Sequence, residues 1–350
     1  MLKNLASGKN IGRLIMPILL FGGVVACTNT APPPSEQATQ NQPTITPTSN
    51  TATTNKLKII TTFLPMYMFT KAVTGEQADV QILVPPGISP HHYQATPANA
   101  QAIAQSQVLV KNGLGLETFL DGLIQASGSK ELVKVDASQG IVAIQTEDNH
   151  DDHGENTEQQ EISEKTDQEK TAQADEHDHA HTEGNPHVWL DPQLAQKQVE
   201  NIRDALMKAD PAQQNIYQTN ANNYIQQLKV LDQEFQSQLD KLSGCKFIAF
   251  HDAYPYLAKR YGLQQLNIVE LPEDEITPQD LQRIMQDIKT YQVKAVLTEP
   301  GVTNQRIQQI AQDTGLPLKV LDPMDTGELD PQYYFTGMRR NLTTLIEVCQ

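Results

Sequence analysis

Between residues 211 and 242 an apolar side chain recurs every three or four positions, at Tyr217, Ala221, Tyr224, Leu228, Leu231, Phe235, Leu239 and Leu242. No glycine interrupts the run and its only proline leads it. That spacing predicts one amphipathic helix, opened by Asp210-Pro211 and stopped by Ser243-Gly244. At ~1.5 Å per residue it is a rod of about 45 Å, longer than a small domain is wide. The rest of the chain must therefore pack around a spine, and two bodies joined by it are expected.

The flanking sequence fits two such bodies. Before the spine, short β-branched or apolar runs at residues 58–63, 80–84, 108–110 and 132–135 alternate with helical patterns at 65–73, 97–104, 116–125 and 193–208. Thr96-Pro97 and Asp191-Pro192 have the cap-then-proline form of a helix start. After the spine, strands are expected at 245–250, 266–269, 295–298 and 318–321, and helices at 256–261, 278–291, 304–314 and 333–348. The expected fold class is α/β, two lobes each with a mostly parallel sheet flanked by helices, joined by one long rigid helix. In open sheets of this kind ligands sit beyond the carboxyl ends of the strands.

At 350 residues the chain is long enough for two separate cores. Its net charge of -16 is concentrated in residues 147–183, which hold fourteen Asp and Glu against two Lys, a local charge of -12. The same tract carries His150, His153, His177, His179 and His181 and almost nothing apolar, so it reads as a solvated loop that collects metal, with a passive acidic insertion as the other reading. No basic stripe exists to meet a phosphate backbone, which excludes nucleic acid as a partner. Lys3, Lys9 and Arg13 precede an apolar run at 15–26 that is too short to span a bilayer. Val24-Val25-Ala26-Cys27 has the form of a lipoprotein cleavage box, with an ordinary signal peptide as the alternative; either way export is expected. Residues 27–55, rich in Thr, Pro, Asn and Gln, read as a spacer. In an oxidising compartment Cys245 and Cys349 are a candidate disulfide, with two buried thiols as the other reading. The expected division is thus 1–26 signal peptide, 27–55 spacer, 56–208 first lobe including the loop 147–184, 209–243 linking helix and 244–350 second lobe.

Three histidines outside the loop sit where a strand or turn gives way to a helix: His91 or His92, His187 and His251. Singly each would be a cap or a hydrogen-bonded surface residue. Together, and beside a histidine-rich tether, they read as a metal site, with Asp322 after the last strand as a fourth donor or a turn residue before Pro323. Three imidazoles and a carboxylate suit Zn²⁺ or another late first-row metal better than calcium or magnesium.

The motifs then become specific. Pro85-Pro86-Gly87-Ile88-Ser89-Pro90-His91, Asn185-Pro186-His187-Val188-Trp189-Leu190-Asp191-Pro192, Phe250-His251-Asp252-Ala253-Tyr254, Thr298-Glu299-Pro300 and Leu321-Asp322-Pro323 follow one another in order. In these the chain, from Lys58 to its C-terminus, resembles the metal-binding solute receptors of bacterial ABC importers, and among them the zinc receptors. The resemblance implies a metal in the interlobe cleft, held by His91, His187, His251 and Asp322, with His91 rather than His92 at the first position. Histidine at the third position implies zinc, since manganese receptors of the family carry glutamate there. It further implies a periplasmic or extracytoplasmic receptor, anchored to the membrane by lipid on Cys27, monomeric and not an enzyme, whose partner is the importer's permease. Other readings are a manganese or iron receptor, an adhesin-like lipoprotein that uses the metal structurally, and a zinc hydrolase with Glu299 or Asp252 as base. The last lacks a His-Glu-x-x-His motif.

Overall fold

A computed structural model describes residues 56–145, 184–268, 276–302 and 304–350. The targeting segment, Cys27, the spacer and the five histidines of the acidic tract lie outside the described residues.

In the first lobe β1 (Leu57–Thr61), α1 (Leu64–Thr74), β2 (Ala78–Ile82), α2 (Pro97–Ala104), β3 (Val108–Lys111), α3 (Leu120–Ser127) and β4 (Val133–Asp136) alternate along the chain. The four strands pair parallel in the order β2-β1-β3-β4. Past the acidic tract come α4 (Pro192–Ala209) and α5 (Gln214–Leu239). The second lobe repeats the plan with β5 (Lys246–Ala249), α6 (Pro255–Arg260), β6 (Gln264–Asn267), α7 (Pro278–Tyr291), β7 (Val296–Thr298), α8 (Gln305–Thr314), β8 (Leu318–Val320) and α9 (Tyr333–Cys349). Its strands are also all parallel, in the order β6-β5-β7-β8. Each sheet therefore reverses its winding beside its first strand, which opens a crevice at the carboxyl ends of β1 and β3 and of β5 and β7.

Helix starts fall where the caps predict them. Thr96 and Thr277 form capping boxes with Asn99 and Asp280, Asp191 accepts from the backbone N–H of Gln193 and Leu194, and Asn304 accepts from Arg306 and Ile307. Several expected boundaries move, β1 for example ending at Thr61 rather than 63, and three of the shifts have a visible cause. β2 and β6 begin two residues earlier than their β-branched runs, because pairing with β1 and β5 draws Ala78-Asp79 and Gln264-Gln265 into the ladders. Helix α3 begins at Leu120 rather than 116, because Glu117 folds its carboxylate back onto the N–H groups of Asn112 and Gly113 and makes a turn there.

The apolar stripe becomes α5, 26 residues or about 39 Å, with single 3-10 turns at Pro211–Gln213 and Asp240–Leu242. Tyr217, Leu228, Leu231, Phe235 and Leu239 on it are fully buried, and each such side chain contributes about 1.5–3 kcal/mol. The helix packs on α1 and α4 of the first lobe and on α9 of the second. Tyr224 donates its hydroxyl to the Pro331 carbonyl, Asn220 its amide to that of Val73, and Arg339 of α9 pairs with Glu234. One continuous core runs along this spine through both lobes. A second, smaller core, around Ile248, Ile284 and Ile307, lies under α7 and α8. Cys245 and Cys349 form a disulfide that fastens the end of α9 to the start of β5.

Candidate metal centre

Three segments from three loops meet at the cleft. After β2 the chain turns through Pro85, Pro86 and Gly87, whose φ of +89° favours glycine. Gly87 N–H donates to the Asp325 carbonyl of the second lobe, and a 3-10 turn at Pro90–His92 then presents His91. Tyr93 holds the base of this loop by donating to Leu83 O and Asn99 Oδ1. His187 opens the 3-10 turn Val188–Leu190. Asn112 donates to the Pro186 carbonyl, Trp189 Nε1 donates to Pro323 O at 2.8 Å, and Tyr334 donates to Trp189 O. His251 follows β5 at the crevice, and its carbonyl accepts from Gln265.

Among the described residues, His91, His187 and His251 form the one group of His, Cys, Asp and Glu placed to hold a metal ion, with their ligand atoms all within 4.8 Å. Nε2 of His187 lies 3.0 Å from Nε2 of His91 and 3.2 Å from Nε2 of His251. A tetrahedral zinc with Zn–N of about 2.0–2.1 Å needs nitrogens about 3.3 Å apart, so these distances suit a small ion, whereas bonds of about 2.3–2.6 Å to calcium need more room. Nδ1 of His187 is 3.0 Å from Asn185 Oδ1, and Nδ1 of His251 pairs with Glu299. Assigned from these acceptors, both rings carry their proton on Nδ1 and turn the Nε2 lone pair to the common space. His187 and His251 are buried and His91 is partly exposed, so access is over His91. The cavity between them, closed by Ser89, Trp189, Pro323 and Asp325, has a volume of about 10 Å³. That is close to one water-sized sphere, room for an ion and not for an organic substrate.

The structure separates the neighbouring histidines, His91 facing the group and His92 exposed. Asp322 is buried, adjacent in sequence to the cavity-lining Pro323, and not within the three-imidazole group. Its Oδ1 accepts from Met324 N–H at 2.8 Å and its Oδ2 lies 3.8 Å from Arg340, while burial pushes its carboxyl above the ordinary carboxylate range. The turn before Pro323 thus takes one of its oxygens. Asp325, which the sequence reading passed over, lines the cavity. Glu299, considered there as a base, is instead the acceptor that orients His251. Its signal was topological: β7, which delivers it, is the neighbour of β5 across the switch point. Asn185, which opens the Asn-Pro-His motif, orients His187 in the same way.

The family model for the periplasmic zinc-uptake complex component A, ZnuA, matches residues 59–348. The chain is 31% identical over 296 residues to the high-affinity zinc uptake system protein ZnuA of Bacillus subtilis, covering 83% of this chain and 87% of the relative. It is 30% identical over 295 residues to the zinc-binding protein AdcA of Streptococcus pyogenes serotype M3, covering 83% of this chain but 55% of the relative, so it spans about half the length of AdcA. Among solved structures, the Zn(II)-bound ZnuA-like domain of Streptococcus pneumoniae AdcA superposes with a TM-score of 0.65 at 26% identity, covering 84% of this chain and 98% of that one.

Proposed function

Since this chain belongs to the ZnuA family of periplasmic zinc-uptake components, we propose that it is an extracytoplasmic receptor that captures Zn²⁺ and delivers it to the permease of an ABC importer. The observation that carries this reading is the convergence of three imidazoles, with Nε2 of His187 3.0 and 3.2 Å from those of His91 and His251 and all ligand atoms within 4.8 Å of one another. In it His91, His187 and His251 are the nitrogen ligands. Asp322, next to the cavity wall at Pro323, is the carboxylate that completes the set. With Asp322 as fourth donor no position is left for a reacting water, and the small cavity fits an ion as cargo, which supports carriage over catalysis. Zinc is the cargo.

The remaining proposals follow the sequence. Cys27 is lipidated after removal of residues 1–26, residues 27–55 are a spacer, and the receptor acts as a monomer. Residues 56–208 and 244–350 are its lobes and 209–243 the linking helix. The histidines of the loop 147–184 bind further zinc weakly and raise local supply.

The test is isothermal titration of the metal-stripped full-length protein with zinc and manganese in competition, for the parent and His251→Ala. One tight zinc site that outcompetes manganese and weakens in the variant is expected. Preference for manganese, or indifference to the substitution, would overturn the reading.

A further inference from the structure

Asn185 has no access to solvent, and every polar atom it has is engaged. Its Oδ1 accepts from the His187 backbone N–H and lies 3.0 Å from the ring Nδ1. Its Nδ2 donates to the Asp252 carbonyl at 2.7 Å and to Asp252 Oδ2 at 3.1 Å. Its own N–H donates to Ile144 O, and its carbonyl accepts from the Tyr256 hydroxyl at 2.6 Å. A flipped amide would turn its NH₂ toward the His187 N–H and its oxygen toward the Asp252 carbonyl, two contacts of like polarity, so the network fixes its orientation.

We propose that Asn185 is a positioning residue for the metal, with two separable tasks. As acceptor it holds His187 in the Nδ1–H tautomer, which frees Nε2 for the ion. As donor it ties His187 of one lobe to Asp252, the residue after His251, in the other. His187 and His251 are 64 residues apart in the chain and come from opposite sides of the cleft. The Asn185–Asp252 pair is a direct polar link between the segments that carry them, so it sets how far apart the two Nε2 atoms are. Glu299 performs only the first task, for His251 alone. The proposal rests on the zinc-receptor reading of the site.

Two substitutions in the full-length protein separate the tasks. Asn185→Asp keeps an acceptor for His187 but sets oxygen against both oxygens of Asp252. Asn185→Ala removes both functions. Nitrogen-15 NMR of histidine-labelled, metal-free protein reads the tautomer, chelator competition reads zinc affinity, and the visible spectrum of the Co²⁺ form reads the tetrahedral geometry. The parent and Asn185→Asp are expected to show His187 as Nδ1–H, and Asn185→Ala a loss of that preference. Both variants are expected to bind zinc about 10–100-fold more weakly, as loss of an outer partner of a ligating histidine does, with a weakened tetrahedral Co²⁺ band. A purely structural role, as the root of the acidic insertion, would lower thermal stability and leave tautomer and Co²⁺ spectrum as in the parent; that outcome overturns the proposal. If Asn185→Ala does not fold, Asn185→Asp decides, since parent-like zinc affinity and Co²⁺ spectrum in it would refute the cross-lobe task. Failure of the parent to bind zinc would sink the receptor reading instead.

Discussion

Replacing Arg260 by alanine should destabilise the protein in a way that depends on pH. Nε of Arg260 lies 2.6 Å from Oδ1 and 2.5 Å from Oδ2 of Asp191, and its Nη1 donates to Gln193. Asp191 is buried at the N-terminus of α4, while Arg260 at the end of α6 is about a quarter exposed. Burial raises the Asp191 carboxyl above its ordinary value, and the guanidinium pulls against that rise without cancelling it. Without Arg260 the rise must grow. A raised carboxyl favours folding fully below its unfolded pKa, near 3.9, and that advantage is lost as pH climbs through the folded value. Arg260→Ala should therefore cost most at neutral pH and little in acid. Breaking a buried pair costs about 3–5 kcal/mol; with one partner partly in water we expect about 2–3 kcal/mol at pH 7. The assay is guanidinium unfolding of zinc-free protein across pH, for the parent, Arg260→Ala, Asp191→Asn and the double variant. The coupling energy of that cycle should shrink on acidification. An equal loss at every pH, or no coupling, would mean that Arg260 acts through its aliphatic stem and not its charge.

Glu299→Gln keeps an acceptor for His251 but removes its charge, so zinc affinity should fall about 10–100-fold; parent-like affinity in chelator competition would exclude that role. Cys349→Ser opens a link between residues 104 apart, and should lower zinc-free stability by about 3–5 kcal/mol. Because Cys245 precedes β5 at the end remote from His251, zinc affinity should stay unchanged, and a large loss would show coupling along the strand. Imidazoles must be neutral to ligate, so zinc affinity should fall on acidification. Titrations that agree between neutral and mildly acidic buffer would rule out a three-histidine site.

Local chemistry made most of the fold legible. Thr96-Pro97, Asp191-Pro192 and Thr277-Pro278 mark helix starts through the backbone donors their side chains satisfy, and those starts lie where expected. Where a boundary depends on a partner elsewhere in the chain, the sequence is silent. Gln264 and Gln265 enter a strand because β5 pairs with them, and the Glu117 carboxylate that makes the turn before α3 also accepts from Thr62, which belongs to another segment. The site divides in the same way. Histidines at strand ends announce themselves by residue type and place. The acceptors behind them do not, because Asn185 reaches His187 across a two-residue turn and Glu299 reaches His251 from a neighbouring strand. Asp322 was legible in position, while the direction of its carboxylate depends on Met324 and Arg340.

The neck at Ile144 and Asn185 has a further consequence. These two residues flank residues 146–183, and a backbone hydrogen bond of 2.8 Å from Asn185 N–H to Ile144 O joins them. Gly184 packs so tightly there that a Cβ would lie 2.8 Å from that of Ala143. For a flexible loop closed at such a neck, each doubling of length costs only about 0.6 kcal/mol. A change of length between residues 145 and 184 is therefore expected to leave His187, two residues past the neck, in place. The same neck is a port for engineering, where a reporter domain would sit within reach of the captured ion.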